Sequence, residues 1–87
     1  MAKGQKLLLK ALNNPNGVRF SEIMALIEAF GFALDRQWGS PRVYVRDDVR
    51  EIVNVQPRSD RKAKTAQVES FLDLVRRRGL DLEEETP

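Results

Sequence analysis

The chain is expected to fold as an α+β domain, a three-stranded antiparallel sheet with helices on one face, in the order α-α-β-β-β-α. Three observations lead there. Apolar residues recur with helical spacing after Ser21 and again after Thr65. Between these stretches, from Phe32 to Val55, the spacing changes from 3.6 to 2. The connections inside the alternating stretch are short, which favours a meander over crossovers. Three strands alone would leave an apolar face in water, so the two longer helices must cover it.

Taken in order, the first element is a short helix over about Gln5 to Leu12, with Leu8, Leu9 and Leu12 on one side. Asn13-Asn-Pro-Asn-Gly17 stops it, because Pro15 cannot continue a helix and Asn16-Gly17 suits positive φ. Ser21 is a suitable N-cap for the second helix, and Glu22 is favourable in its first turn. Ile23, Leu26, Ile27 and Phe30 then form one apolar stripe, and Gly31 stands where a terminating glycine belongs.

Phe32, Leu34, Arg36 and Trp38 alternate with Ala33, Asp35 and Gln37 as a first strand. Gly39-Ser40 is a turn signal, and Pro41 permits extended backbone on either side. Val43 and Val45 alternate with Arg42, Tyr44 and Arg46, and the latter three are expected to face solvent. Asp47-Asp48 turns the chain into a third strand, Glu51 to Val55, with Val53 and Val55 inward. A polar, basic connection, Gln56 to Lys64, leads to the last helix, about Thr65 to Arg78. Val68, Phe71, Leu72 and Val75 are its apolar register, and Gly79 closes it. Arg76-Arg77-Arg78 occupies the last turn, where the helix dipole favours cations.

Composition narrows the chemistry. Eighty-seven residues and 10.0 kDa allow one small domain, over residues 1–80, with a helical extension at about 1–17 and an acidic tail at 81–87 that is expected to be disordered. The absence of cysteine excludes disulfides and thiolate sites, and the absence of histidine removes the usual general base and the commonest zinc ligand. No apolar run is long enough for a membrane span or signal segment, so a cytoplasmic protein without a membrane partner is expected.

The formal net charge of +2 is unevenly spread. Residues 81–87 hold four acids and no base, whereas residues 1–80 hold all fifteen Lys and Arg against nine acids. A basic body suggests a polyanion partner, because Lys and Arg gain affinity by releasing condensed counterions. A solvated basic surface is the plainer alternative.

Helix, three-stranded meander and helix, with basic residues at the start of the last helix, resembles the layout of double-stranded-RNA-binding-like domains. An ordered set of segments narrows the likeness: Leu12-Asn-Asn-Pro15, Val18-Arg-Phe20, Ala29-Phe-Gly-Phe32, Gly39-Ser40, Val43-Tyr-Val45, Asn54-Val-Gln56, Lys62-Ala-Lys64 and Gln67-Val68. Over about Lys6 to Leu80 the chain resembles the HicA family of bacterial toxins. The resemblance implies a small type II toxin–antitoxin component that binds and cleaves messenger RNA, without a metal or small-molecule cofactor. It also implies a HicB-like antitoxin as protein partner.

The chain departs from that pattern where the chemistry is done. In the family a histidine directly follows the Gly-Ser pair; here Gly39-Ser40 is followed by Pro41, which has neither a titratable group nor an N–H. General acid–base catalysis contributes about 10²–10⁴-fold, so nuclease activity is expected to be impaired. Arg61 replaces a family glycine, and Ala66 replaces an aromatic that could stack on a base.

Arg36, Arg42, Arg61, Lys62 and Lys64 are the phosphate-contact candidates, with Lys62 and Lys64 favoured by their place before the last helix. Gly39 and Ser40 would let a phosphate approach closely, although forming the hairpin turn is their simpler role. Trp38 is read as a partly buried anchor, with base stacking as the alternative. Arg46 and Arg50 flank Asp47-Asp48 and balance those acids. Two further functional readings stand beside the RNA-binding toxin. One is an antitoxin-binding or other protein-interaction module with no RNA role. The other is an active ribonuclease built on Tyr44, Arg42 and Lys64, which needs large pKa shifts because free Tyr and Lys titrate near 10.

Overall fold

The computed structural model, which describes residues 3–36 and 41–83, begins with an antiparallel helix pair. Helix α1 spans Lys3–Asn13 and α2 spans Phe20–Ala29, joined through a 3-10 turn at Pro15–Gly17. Gly4 abuts the end of α2, where an added Cβ would come 3.0 Å from the Ala29 Cβ. At the other end, the Lys10 ammonium bonds the Glu22 carboxylate at 2.8 Å. The packed face of α1 is Gly4, Leu7, Leu8 and Ala11. Of the three leucines expected on one side, Leu8 packs on the core, while Leu9 and Leu12 are 46% and 58% exposed. The small residues explain the change, since Gly4 and Ala11 let the two helices approach more closely than a leucine face would. Gly17 carries no positive φ, because the 3-10 turn replaces the expected left-handed residue.

The α2 stripe is as expected, with Ile23, Leu26, Ile27 and Phe30 all buried. Its start differs. Arg19, with extended backbone, precedes the helix, and Glu22 accepts from the Arg19 N–H at 2.9 Å, so Ser21 is not the cap. Gly31 follows at φ 88°, a conformation that side chains resist.

Strands β1 (Ala33–Arg36), β2 (Arg42–Arg46) and β3 (Val49–Val55) form an antiparallel sheet in that order, with β2 central. Arg46 pairs with Val49 across the Asp47-Asp48 turn. Val53 and Val55 are buried as expected. The face of β2 is the reverse of the expectation. Tyr44 pairs with Leu34 and Val53 on the helix-covered side and is only 1% exposed, while half-buried Val43 and Val45 lie on the open side. Arg46 shares the covered side, its guanidinium donating to the Phe30 carbonyl at 2.8 Å and bonding Asp48 at 2.7 Å. A cation on the last carbonyls of α2 is favourable, which explains why an arginine takes that side.

Helix α3 spans Thr65–Arg78 and ends at Gly79, φ 60°. Val68, Phe71 and Leu74 are buried, with Leu72 and Val75 flanking them. The Phe71 ring meets Phe30 and Phe32 edge-on, with centroids at 5.6 and 5.8 Å, joining α2, α3 and the start of β1 in one core. The three last-turn arginines are held by acids, Arg76 and Arg77 by Asp73 and Arg78 by Glu51. Beyond α3 the chain returns to α2. Leu80 and Leu82 pack on the core, and the Glu83 N–H donates to the Ala29 carbonyl at 2.8 Å, so the acidic stretch begins with docked residues. Among the described residues no helix is long and apolar enough to cross a membrane.

Candidate nucleic-acid interface

The Gln56–Lys64 connection is far more ordered than a polar loop would be. Ala63 is fully buried, its N–H donating to the Val18 carbonyl at 2.8 Å. Pro57 and Ala63 form a β-bridge, as do Arg19 and Lys62. The Phe20 N–H, one of the orphan donors at the start of α2, is satisfied by the Arg61 carbonyl at 3.0 Å. The Lys64 N–H reaches the Gln56 carbonyl at 3.3 Å, and the Gln56 N–H donates to Gln67 Oε1 at 2.7 Å. These bonds bring four features to one end of the fold. They are the starts of α2 and α3, the start of β2 (Arg42 pairs with Val55) and the end of β3.

Arg58 holds this segment together. Its guanidinium donates to Asn16 Oδ1 at 2.7 Å and to the Asn16 carbonyl at 3.1 Å, and it forks onto Asp60. Asp60 also accepts from the Lys62 N–H at 3.1 Å. The hydrogen bond from Arg58, reinforced by that N–H, holds the Asp60 carboxyl below its usual range. Arg61 has φ 68°, and among the described residues no other non-glycine residue has positive φ. It is the position where the resemblance places glycine, so the backbone geometry suits glycine while the side chain carries charge.

Five cations line this end without a carboxylate at ion-pair distance among the described residues: Arg19, Arg42, Arg61, Lys62 and Lys64. The Lys64 ammonium donates to Gln56 Oε1 at 2.7 Å, and the Arg42 guanidinium lies over the Phe20 ring, 5.9 Å from its centroid. Half-buried Pro41, at the position the resemblance gives to histidine, immediately precedes Arg42. Beside the cations an open groove of about 570 Å³ runs between the start of α2 and the 57–61 loop, lined by Arg19, Phe20, Ser21, Pro57, Arg58 and Arg61.

Of the sequence candidates, Arg42, Arg61, Lys62 and Lys64 are brought together. Gly39 and Ser40, Trp38, and the side chain of Arg36 lie outside the described residues. Arg19, Phe20 and Arg58 join the site without having been singled out. Val18-Arg-Phe20 carried a signal, whereas nothing in the sequence ties Arg58 to Asn16, 42 residues away.

Tyr44 is buried rather than solvent-facing. It lies under α2, and its hydroxyl donates to Glu28 Oε2 at 3.1 Å. Burial foremost, then the Glu28 charge, pushes its pKa up to about 12, further from a base that works near neutral pH. The acids near the basic end are no better placed. Burial alone would raise the Glu22 carboxyl, but bonds from Lys10 and the Arg19 N–H outweigh it and leave the carboxyl below its usual range. The arrangement can hold phosphates and orient a chain of them; the carboxyls beside it, Glu22 and Asp60, are held below their usual range by hydrogen bonds. No protein-family model, no curated protein and no solved structure matches this chain.

Proposed function

We propose that the chain is the HicA-like toxin component of a type II toxin–antitoxin module. It acts in the cytoplasm and binds messenger RNA through the basic end, and its nuclease activity is impaired because Pro41 occupies the position of the catalytic base. The observation that carries this reading is the gathering of Arg19, Arg42, Arg61, Lys62 and Lys64, unpaired by acids among the described residues, at the end where α2 and α3 start. At the other end the three last-turn arginines are all paired with Asp73 or Glu51, whereas at this end Asp60 and Glu22 are taken by Arg58 and Lys10, and the five cations make no ion pair among the described residues. Clustered cations with free donors suit a phosphate backbone, and the ordered motif set narrows the polyanion to RNA.

The test is cleavage of a labelled messenger RNA by the purified protein beside its Pro41→His variant. Cleavage by the variant alone supports a toxin scaffold that lacks its base. Cleavage by both means the family mechanism does not apply here.

A second reading has its own observation. On the open face of the sheet, Ile52 is 57% exposed beside half-buried Val43 and Val45. An apolar sheet face of that kind favours a protein contact, as an antitoxin-binding module without RNA affinity would make. Tight antitoxin binding with no detectable RNA binding would put this reading first.

A further inference from the structure

The groove between the start of α2 and the 57–61 loop differs in chemistry from the cation cluster beside it. Its lining combines an aromatic and an apolar residue (Phe20 and Pro57) with Ser21 and three arginines, of which Arg58 is paired with Asp60 while Arg19 and Arg61 make no salt bridge among the described residues. A pure phosphate track needs no aromatic or apolar wall. A volume of about 570 Å³ is within the size range of small-ligand sites, roughly 300–1,000 Å³, and exceeds what a bare phosphate fills.

Arg61 adds an independent observation. Its φ of 68° is a conformation that L side chains adopt at a cost, and it is stabilised by backbone bonds on both sides: its N–H donates to the Arg58 carbonyl at 3.1 Å and its carbonyl accepts from Phe20. Strained residues held in place by their surroundings concentrate at ligand-binding sites. A glycine would meet the backbone requirement with less strain, so the arginine side chain itself is the feature in need of an explanation, and it lies at the groove.

We propose that this groove is a subsite for one nucleotide of a single-stranded RNA segment, its base against the Phe20 ring and its phosphate on Arg19 and Arg61. The inference rests on the RNA-binding reading and deepens it. Lys62, Lys64 and Arg42 hold the backbone of any sequence, while the groove requires an unpaired base, so single strands and loops are preferred to duplex.

The experiment titrates the whole protein with adenosine and uridine monophosphates, with ribose 5-phosphate and inorganic phosphate as base-free probes. Binding is followed by chemical-shift changes at residues 19–21 and 57–61. The nucleotides are expected to bind about tenfold more tightly than ribose 5-phosphate, and Phe20→Leu to erase that difference. Arg61→Gly should weaken nucleotide binding several-fold while raising the melting temperature, so a folding defect cannot account for the loss. Lys62→Ala with Lys64→Ala should leave mononucleotide affinity within about twofold while lowering affinity for an oligoribonucleotide.

Equal binding of nucleotides and base-free phosphates overturns the proposal, leaving a simple anion site. Unchanged nucleotide affinity in Arg61→Gly does so too. Mononucleotide binding without oligoribonucleotide binding keeps the subsite and rejects the RNA reading. Lysine-dependent oligoribonucleotide binding with no shifts in the groove rejects the subsite and keeps the RNA reading.

Discussion

The guanidinium of Arg58 grips Asn16 through both its side-chain and main-chain oxygens, at 2.7 and 3.1 Å, joining segments 42 residues apart in the chain. The Thr65 hydroxyl donates to the same Asn16 Oδ1 at 2.8 Å, so the 3-10 turn, the 57–64 loop and the start of α3 are tied at one point. The placement of the basic cluster therefore depends on a residue whose guanidinium is committed to bonds within the fold. Arg58→Lys keeps the charge and loses the planar fork. It is expected to cost about 1–2 kcal/mol, about 5–10 °C in melting temperature by circular dichroism. A melting curve that overlays the parent's would remove Arg58 from this role.

Arg61 sits in the left-handed region, where a non-glycine residue costs about 1–3 kcal/mol. Glycine relieves that cost and gives part of it back as entropy of the unfolded chain. Arg61→Gly is therefore expected to stabilise the protein by about 1 kcal/mol in urea denaturation, with an unchanged m-value. Destabilisation would mean that the side chain contributes more to the fold than its geometry indicates.

Tyr44→Phe separates structure from chemistry. Losing the bond to Glu28 should cost about 0.5–1.5 kcal/mol, because the ring still fills its place under α2 and the Glu28 carboxylate remains exposed to water. RNA affinity should not change. A large loss of RNA binding or of any residual cleavage, with the fold intact, would return Tyr44 to the functional site.

Glu22 gives the start of α2 a pH dependence. Its folded-state carboxyl titrates below the usual 4.5, so its contribution is fully present above that pH and is lost as pH falls through the folded value. Glu22→Gln keeps an acceptor for the Arg19 N–H and removes the charge that holds Lys10. At pH 7 the variant should be less stable by about 0.5–1 kcal/mol. That gap should narrow as pH falls below 4.5, measured by urea denaturation across pH; a gap that does not change with pH on the acid side of 4.5 would contradict the electrostatic account.

Much of the fold is legible because its strongest signals are periodic. The α2 stripe, the bounds of α3, the terminating glycines 31 and 79 and the Asp47-Asp48 turn follow from spacing and local chemistry. Period 2 establishes that β2 alternates without saying which set is inside. Valines looked like the inward set, yet each member of the other set has a specific partner: Arg42 the Phe20 ring, Tyr44 the Glu28 carboxylate, Arg46 the end of α2. Such partners are distant in sequence, so composition hides them. The same holds for α1, where Gly4 and Ala11 outrank Leu9 and Leu12 because α2 comes close. At the basic end, Lys62 and Lys64 were visible from their place before a helix. Arg58 was not, since its importance comes from Asn16.

The central claim is that the basic end holds an RNA backbone, and its most direct test is salt dependence. Affinity for a labelled single-stranded messenger RNA fragment is measured by fluorescence anisotropy at several salt concentrations, for the parent and for Lys62→Ala with Lys64→Ala. The account predicts weaker binding by the variant and a log–log salt slope shallower by about 1.4, two lysines at about 0.7 each for single strands. Equal, salt-insensitive binding by both proteins would contradict it.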